Sequence, residues 1–173
     1  MKSKQRQFLA LYEPIHDRFE RFCRARVYGE MEYTDLMNET LLIAYKTFDS
    51  LRSKEAFLSY LCSISIRLLA NSHRKKRPVS SDELEFSTHT TSSNITEIGA
   101  EVHLLHRALS HVQKDQRESL ILFEITGLSI REIAQLHEVS ESAVKQRLRR
   151  GRIRLTEILT FESEYKTGEE RIV

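Results

Sequence analysis

Between residues 5 and 28, apolar side chains recur every three or four positions: Phe8, Leu11, Tyr12, Ile15, Phe19, Phe22 and Val27. That spacing lines one side of an α-helix. Pro14 lies inside the run and predicts a kink or a boundary, and Gly29 predicts a stop. Thr34 is a candidate N-cap for a second helix over 35–48, with Leu36, Thr40, Ile43, Ala44 and Phe48 on one side. After a short connection, Asp49–Ser53, the pattern resumes over 54–75, with Ser53 as the predicted cap. Phe57, Leu58, Leu61, Ile64, Leu68 and Leu69 form its apolar face, and it runs into Arg74-Lys75-Lys76-Arg77.

Neither helical nor strand periodicity survives in residues 78–96, PVSSDELEFSTHTTSSNIT. A Ser/Thr-rich stretch with so few apolar residues cannot bury enough surface to offset its ordering entropy, which predicts a flexible linker. As a coil, such a tether spans roughly 25 Å root-mean-square. Beyond it, Asn94-Ile95-Thr96-Glu97 is a weak capping-box pattern, followed by a stripe of Leu104, Leu105, Ala108, Leu109 and Val112. A helix over 114–126 carries Leu120, Ile121, Leu122, Phe123 and Ile125, and Gly127 sits where a C′ glycine would end it. Ser129-Ile130-Arg131-Glu132 is a full capping box opening a short helix. After Glu138-Val139, Ser140 caps a last helix over 141–157. The residues from 160 to 173 read as a polar, frayed tail. The expected architecture is all-α: a helical domain over 1–77, the linker over 78–96, and a second domain over 97–159.

A short helix, a tight turn and a longer basic helix make a helix-turn-helix pattern. At 100° per residue, Leu148, Gly151 and Leu155 fall within about 40° of Val144 and predict the buried stripe. Ser142, Gln146, Arg149 and Ile153 fall opposite, flanked by Lys145 and Arg150. A ridge of this kind suits the major groove. Arg can grip guanine and Gln adenine through paired hydrogen bonds, while Lys and flanking Arg residues neutralise phosphate.

Composition narrows the picture. The chain has 173 residues, 5 Gly and 2 Pro, too few breakers for the many turns of a β-sandwich or barrel. Net charge is +2, but residues 1–77 hold 15 Lys/Arg against 9 Asp/Glu, residues 78–100 hold 4 acids and no Lys or Arg, and residues 145–154 hold 6 basic residues and no acid. Two basic blocks around an acidic stretch suit a polyanion touched at two places. No apolar run approaches a membrane span, and the polar start lacks a signal-peptide core, so the expected compartment is the cytoplasm. Cys23 and Cys62 read as buried free thiols.

These stretches resemble bacterial RNA polymerase sigma factors of the sigma-70 family, in the extracytoplasmic-function (ECF) group. KDQRESLILFEITG followed by LSIREIAQLHEVSESAVKQRLRRGRIRL is similar to region 4. YTDLMNETLLIAYKTFDSL and FLSYLCSISIRLLANSHRKKR are similar to region 2. The resemblance implies an all-helical protein that binds core RNA polymerase, directs it to promoter DNA and opens the duplex. It implies that Asp35, Asn38, Glu39 and Leu42 contact core polymerase. It assigns Arg52, Lys54, Arg67, Asn71, Arg74, Lys75 and Arg77 to the −10 element and the single strand; Tyr60 and Phe57 are the aromatics available nearby, with the core the expected place for both. It assigns Ser142, Lys145, Gln146, Arg149 and Arg150 to the −35 element. It further implies an anti-sigma factor as a partner. Outside such complexes a monomer is expected, and the residues themselves offer no metal or cofactor site. Asn38 stands where relatives have Gln, Glu138 where they usually have Gly, and Gln113 where they commonly have Pro.

Two other classes remain open at this level. One is a stand-alone helix-turn-helix regulator binding operator DNA as a dimer, although no heptad run offers a dimer seam. The other is an enzyme. His103 and His106 are spaced to share a helix face, but a metal site needs a third ligand and supporting groups. No Gly-rich phosphate loop or Ser/His/Asp set is visible.

Overall fold

The computed structural model describes residues 3–27, 32–75 and 97–169, with the side chains of 73–75, 97–98 and 162–169 outside the description. The expected linker, 78–96, the stop at Gly29 and the cap at Asn94–Thr96 therefore lie outside the described residues. Within them every regular element is helical. The chain divides into two compact units: residues 1–90 with 125–127, and residues 91–124 with 128–173.

The first unit opens with α1 (Ser3–Tyr12), a 3-10 turn at Glu13–Ile15, and α2 (His16–Arg26). Pro14 sits at the start of the turn and converts one apolar stripe into two helices, because its ring denies the backbone an amide. Next come α3 (Tyr33–Lys46), a 3-10 turn at Phe48–Ser50, and α4 (Phe57–Lys75). Two predicted caps are corrected. Glu32, not Thr34, is the N-cap of α3 and makes no side-chain cap bond. Ser53 gives its hydroxyl to the Glu55 carboxylate, which holds that carboxyl below its ordinary range. The chain then turns at Lys54, whose carbonyl accepts from Phe57 N at 3.2 Å, and α4 starts at Phe57.

Phe19, Phe22, Cys23, Ala25, Leu36, Leu61 and Cys62 are fully enclosed among α2, α3 and α4. Each large apolar side chain so buried stabilises the unit by about 1.5–3 kcal/mol. Burial pushes the Cys23 thiol up to about 12, so it packs as a neutral group. Thr40 and Ser65 are also fully buried and hydrogen-bond across α3 and α4 at 3.0 Å, and Ser65 donates on to Leu61 O. A buried hydroxyl without a partner is costly, so the pair selects one register between these helices. At the other end Phe8 meets Tyr45, Phe48 and Phe57 edge-on at 5.3–5.4 Å. The 3-10 turn brings Phe48 into this cluster, which ends α3 at Lys46 rather than at the predicted Phe48.

The second unit holds α5 (Glu97–Ser110), α6 (Lys114–Leu120), a π-helical turn at Ile121–Ile125, α7 (Ile130–His137) and α8 (Glu141–Glu169). The predicted helix over 114–126 is thus split by a widened turn. It closes at Gly127, φ +72°, where Leu128 N reaches Leu122 O at 3.0 Å. A positive φ is readily open to glycine, which lacks a Cβ. Ala108, Leu109, Val112, Leu120, Ile121, Leu122, Ile133, Val144 and Leu148 form the core. The expected end of the last helix near 157 is also corrected: α8 continues to Glu169. Residues 157–169 contain no proline, and their single glycine is Gly168, so nothing breaks the helix where the apolar pattern fades.

Candidate nucleic-acid interface and partner surface

The helix-turn-helix is built by local chemistry. Ser129 Oγ accepts from Glu132 N at 3.2 Å while Glu132 Oε2 accepts from Ser129 N at 2.8 Å, the reciprocal capping box read from the sequence. α7 ends on Glu138, which adopts the left-handed conformation at φ 55°, ψ 43°. Val139 N then reaches back to Ala134 O at 3.0 Å. Ser140 Oγ accepts from Ala143 N at 3.1 Å and starts α8. Beneath the turn, buried Glu118 on α6 faces His137 at 3.9 Å.

Packing selects the exposed face of α8. Val144 and Leu148 are buried, and Gly151 lies directly against α6. Ser142, Lys145, Gln146, Arg149 and Arg150 are all on the far side, away from the core, as the helical wheel requires. Ile153, half exposed, follows in line.

The basic residues of α8 divide into two sets that sequence reasoning did not separate. Arg147 pairs with Asp115 at 3.1 Å. Arg152 grips Glu124 through Nε and Nη2 at 2.9 and 2.6 Å, and its guanidinium lies 5.5 Å from the centre of the Phe123 ring. These two tie α8 to α6 and to the π-helical turn after it. Lys145, Arg149 and Arg150 have no acidic partner among the described residues, so their charge is available to an external anion. Acids at 115 and 124, far from 147 and 152 in the chain, were the signal for the split, and only folding makes them neighbours.

In the first unit, Asp35, Asn38, Glu39 and Leu42 are exposed along one side of α3, at the spacing that stacks residues over successive turns. Leu36, Met37, Thr40 and Ala44 occupy the buried side. Leu42 keeps 54% of its surface in water, an apolar knob beside two carboxylates.

The third predicted set is more spread out. Arg52 and Lys54 are exposed in the segment before α4, and Arg67 and Asn71 share one exposed face further along it. Ten residues of helix, about 15 Å of rise, separate the start of α4 from Arg67. The side chains of Arg74 and Lys75, and all of Arg77, lie outside the described residues. Phe57 is buried in the aromatic cluster. Tyr60 stacks on it at 6.5 Å, and its hydroxyl meets the Thr47 hydroxyl and backbone carbonyl. Phe57 therefore packs in the core, while Tyr60 covers it and anchors the end of α3.

Among the described residues, one trio, His16, Asp17 and Glu20, brings potential metal-ligating atoms within 4.8 Å of one another. His16 Nδ1 already meets Tyr12 OH at 2.8 Å, and Glu20 Oε1 already accepts from Arg24, so these donors serve protein contacts.

Residues 11–79 match the family model described as Sigma-70 region 2, and residues 103–155 match the one described as Sigma-70, region 4. The chain is 29% identical over 143 residues to the ECF RNA polymerase sigma factor EcfG of Rhodopseudomonas palustris (strain TIE-1), covering 80% of this chain and 77% of that one. It is 28% identical over 131 residues to the ECF RNA polymerase sigma-E factor of Escherichia coli (strain K12), covering 68% and 69%. Among solved structures, CnrH in complex with the cytosolic domain of CnrY has a similar fold, with a TM-score of 0.68 at 21% identity over 90% of this chain and 89% of that one. The sigma factor RpoE from Bartonella quintana, solved with the anti-sigma factor NepR, has a TM-score of 0.66 at 21% identity over 92% and 98%.

The turn before α8 carries a measurable cost. A left-handed non-glycine residue is strained by about 1–2 kcal/mol, and glycine returns part of that as lost unfolded-state entropy. Glu138→Gly is expected to stabilise the second unit by about 0.5–1 kcal/mol. Urea unfolding, together with amide exchange in α7 and α8, checks this; an unchanged or lowered stability would contradict the strain.

Proposed function

This chain belongs to the sigma-70 family as a sigma factor of the ECF group, and on that premise we propose how its two units share the work of initiation. The first unit binds core RNA polymerase through Asp35, Asn38, Glu39 and Leu42. It engages the −10 element and the opened strand through Arg52, Lys54, Arg67 and Asn71, continued by Arg74, Lys75 and Arg77. The second unit reads the −35 element through Ser142, Lys145, Gln146, Arg149 and Arg150. The observation that carries the reading is the exposed cationic ridge of α8, whose Lys145, Arg149 and Arg150 are left without acids among the described residues while Arg147 and Arg152 are internally paired.

The chemistry follows from the groups on each surface. Carboxylates beside an apolar knob suit a partner helix carrying arginines, since carboxylate–guanidinium bonds are charge-assisted and directional. Arg149 and Gln146 present paired hydrogen-bonding groups of the kind that read guanine and adenine edges, and Lys145 and Arg150 flank them for phosphates. Duplex opening draws on binding free energy from both units, without a covalent step on this chain. Joining two weak DNA contacts in one complex raises the effective concentration of the second. The work takes place in the cytoplasm, where core polymerase and promoter DNA meet.

A regulatory partner completes the reading. The fold resembles that of RpoE from Bartonella quintana, whose structure contains the anti-sigma factor NepR. An inhibitor of that kind holding this chain inactive is expected to co-purify with it from its native host; repeated recovery of the free chain alone would count against it. The rival reading, a stand-alone regulator, requires tight specific binding to duplex DNA without polymerase.

Two measurements test the assignment of the surfaces. Asp35→Ala combined with Glu39→Ala is expected to weaken binding to core polymerase at least tenfold, roughly 1.4 kcal/mol or more, while leaving the second unit's DNA contacts intact. Equal affinity in a direct titration would remove α3 from the polymerase interface. Arg149→Ala is expected to cost about 1–3 kcal/mol of discrimination at one −35 position. Run-off transcription over a library of −35 variants reads this, and an unchanged sequence preference would refute the base contact.

A further inference from the structure

α3 begins without a side-chain cap. Its N-cap, Glu32, makes no side-chain cap bond, and the Asp35 amide reaches only the Glu32 backbone carbonyl, at 3.1 Å, in place of the side-chain oxygen that Ser or Asp usually supplies. Two residues after the first residue of α3 stands Asp35, the leading member of the exposed ridge. The side chain of that first residue, Tyr33, is instead held from α2. Arg24 Nη2 donates to Tyr33 OH at 2.8 Å, and the guanidinium carbon lies 4.0 Å from the centre of the Tyr33 ring.

Arg24 is itself held. Its Nε and Nη2 both donate to Glu20 Oε1, at 2.9 and 2.6 Å. Glu20 Oε2 faces His16 Nε2 at 3.6 Å, and His16 Nδ1 meets Tyr12 OH at 2.8 Å. Tyr12 ends α1, His16 opens α2, and Tyr33 opens α3. Residues 12, 16, 20 and 24 recur at helical spacing, so one row of side chains links the start of α3 back to the end of α1.

We propose that Arg24 is a positioning residue for polymerase binding: held by Glu20, it clamps Tyr33 and thereby sets the first turn of α3, from which Asp35, Asn38 and Glu39 project. The proposal rests on reading that ridge as the polymerase-facing surface. Arginine suits the task because its planar group stacks on the ring and hydrogen-bonds in the same pose, which a lysine cannot do.

The test uses the full chain. Arg24→Ala is expected to weaken binding to core polymerase about threefold, the scale of an exposed cation–π contact. Arg24→Lys should share most of the loss. Tyr33→Phe, which keeps the ring and loses the hydroxyl, should lose less than Tyr33→Ala. Combined with Asp35→Ala, Arg24→Ala should lose less than the product of the two single factors, because both act through one turn. A purely structural residue would instead lower the thermal midpoint and multiply independently in affinity. Amide exchange at Leu36 and Met37 gives a readout that does not need polymerase: it should speed up in Arg24→Ala while the amides of α4 keep their protection. Unchanged exchange there, or unchanged affinity in a chain where Asp35→Ala with Glu39→Ala does weaken binding, overturns the proposal. If that double substitution has no effect on affinity, the ridge assignment fails, and exchange alone then judges the clamp.

Discussion

At Gly151 the backbone of α8 runs so close to α6 that an added Cβ would lie 2.9 Å from Leu120 Cδ1 and 3.3 Å from Gln116 Cβ. A Cβ at 2.9 Å is closer than side chains ordinarily come, so any larger residue here would require the end of Leu120 to shift and its neighbours on α6 to give by a few tenths of an ångström. The rest of the second unit depends on it. With Val144 and Leu148 buried on the same stripe, the close approach leaves α8 one way to lie, and its opposite face must meet solvent. That face carries Ser142, Lys145, Gln146, Arg149 and Arg150. The face proposed to meet DNA is thus set by the opposite, buried side of the helix.

The first unit obeys the same logic with different chemistry. Thr40 and Ser65 bury a mutual hydrogen bond between α3 and α4, and a change of register would take the Thr40 hydroxyl from its partner in an apolar surrounding, while Ser65 keeps its bond to Leu61 O. Fixing that side of α3 turns Asp35, Asn38, Glu39 and Leu42 outward. Beside them, Tyr60 hydrogen-bonds Thr47 and Phe48 joins the ring cluster, so the far end of α3 is anchored as well as its middle. Its near end has the Arg24–Tyr33 clamp in place of a side-chain cap.

Charge has two uses in this fold, and they are separated by geometry. Arg147 and Arg152 spend theirs on Asp115 and Glu124, and exposed pairs of this type contribute little stability, about 0–1 kcal/mol each. Their effect is orientation: they brace α8 from both flanks. Arg149 and Arg150 lie between the two in sequence but point away from α6. A basic run of uniform appearance is therefore part brace and part solvent-facing ridge.

Much of this was legible from the chain. Helical spacing of apolar residues gave the all-α class. The Ser129–Glu132 capping box appeared as written, because both bonds join residues three apart. The exposed face of α8 came from counting around a helix, since the buried stripe is itself periodic. Legibility failed where distant residues compete with local signals. Thr34 and Ser53 have good capping chemistry, yet Tyr33 is drawn into α3 and held by Arg24, and Ser53 turns to Glu55. The end of α3 moved because Phe48 gains more in the aromatic cluster than in another helical turn. The end of α8 was missed because the apolar pattern fades while helix-compatible residues continue. The sequence by itself determined which segments are helices and which face of each is apolar, because those depend on contacts a few residues apart. The tertiary structure alone decided which helix meets which, and so which arginines brace and which stay available, because that depends on acids and rings that neighbour them only after folding.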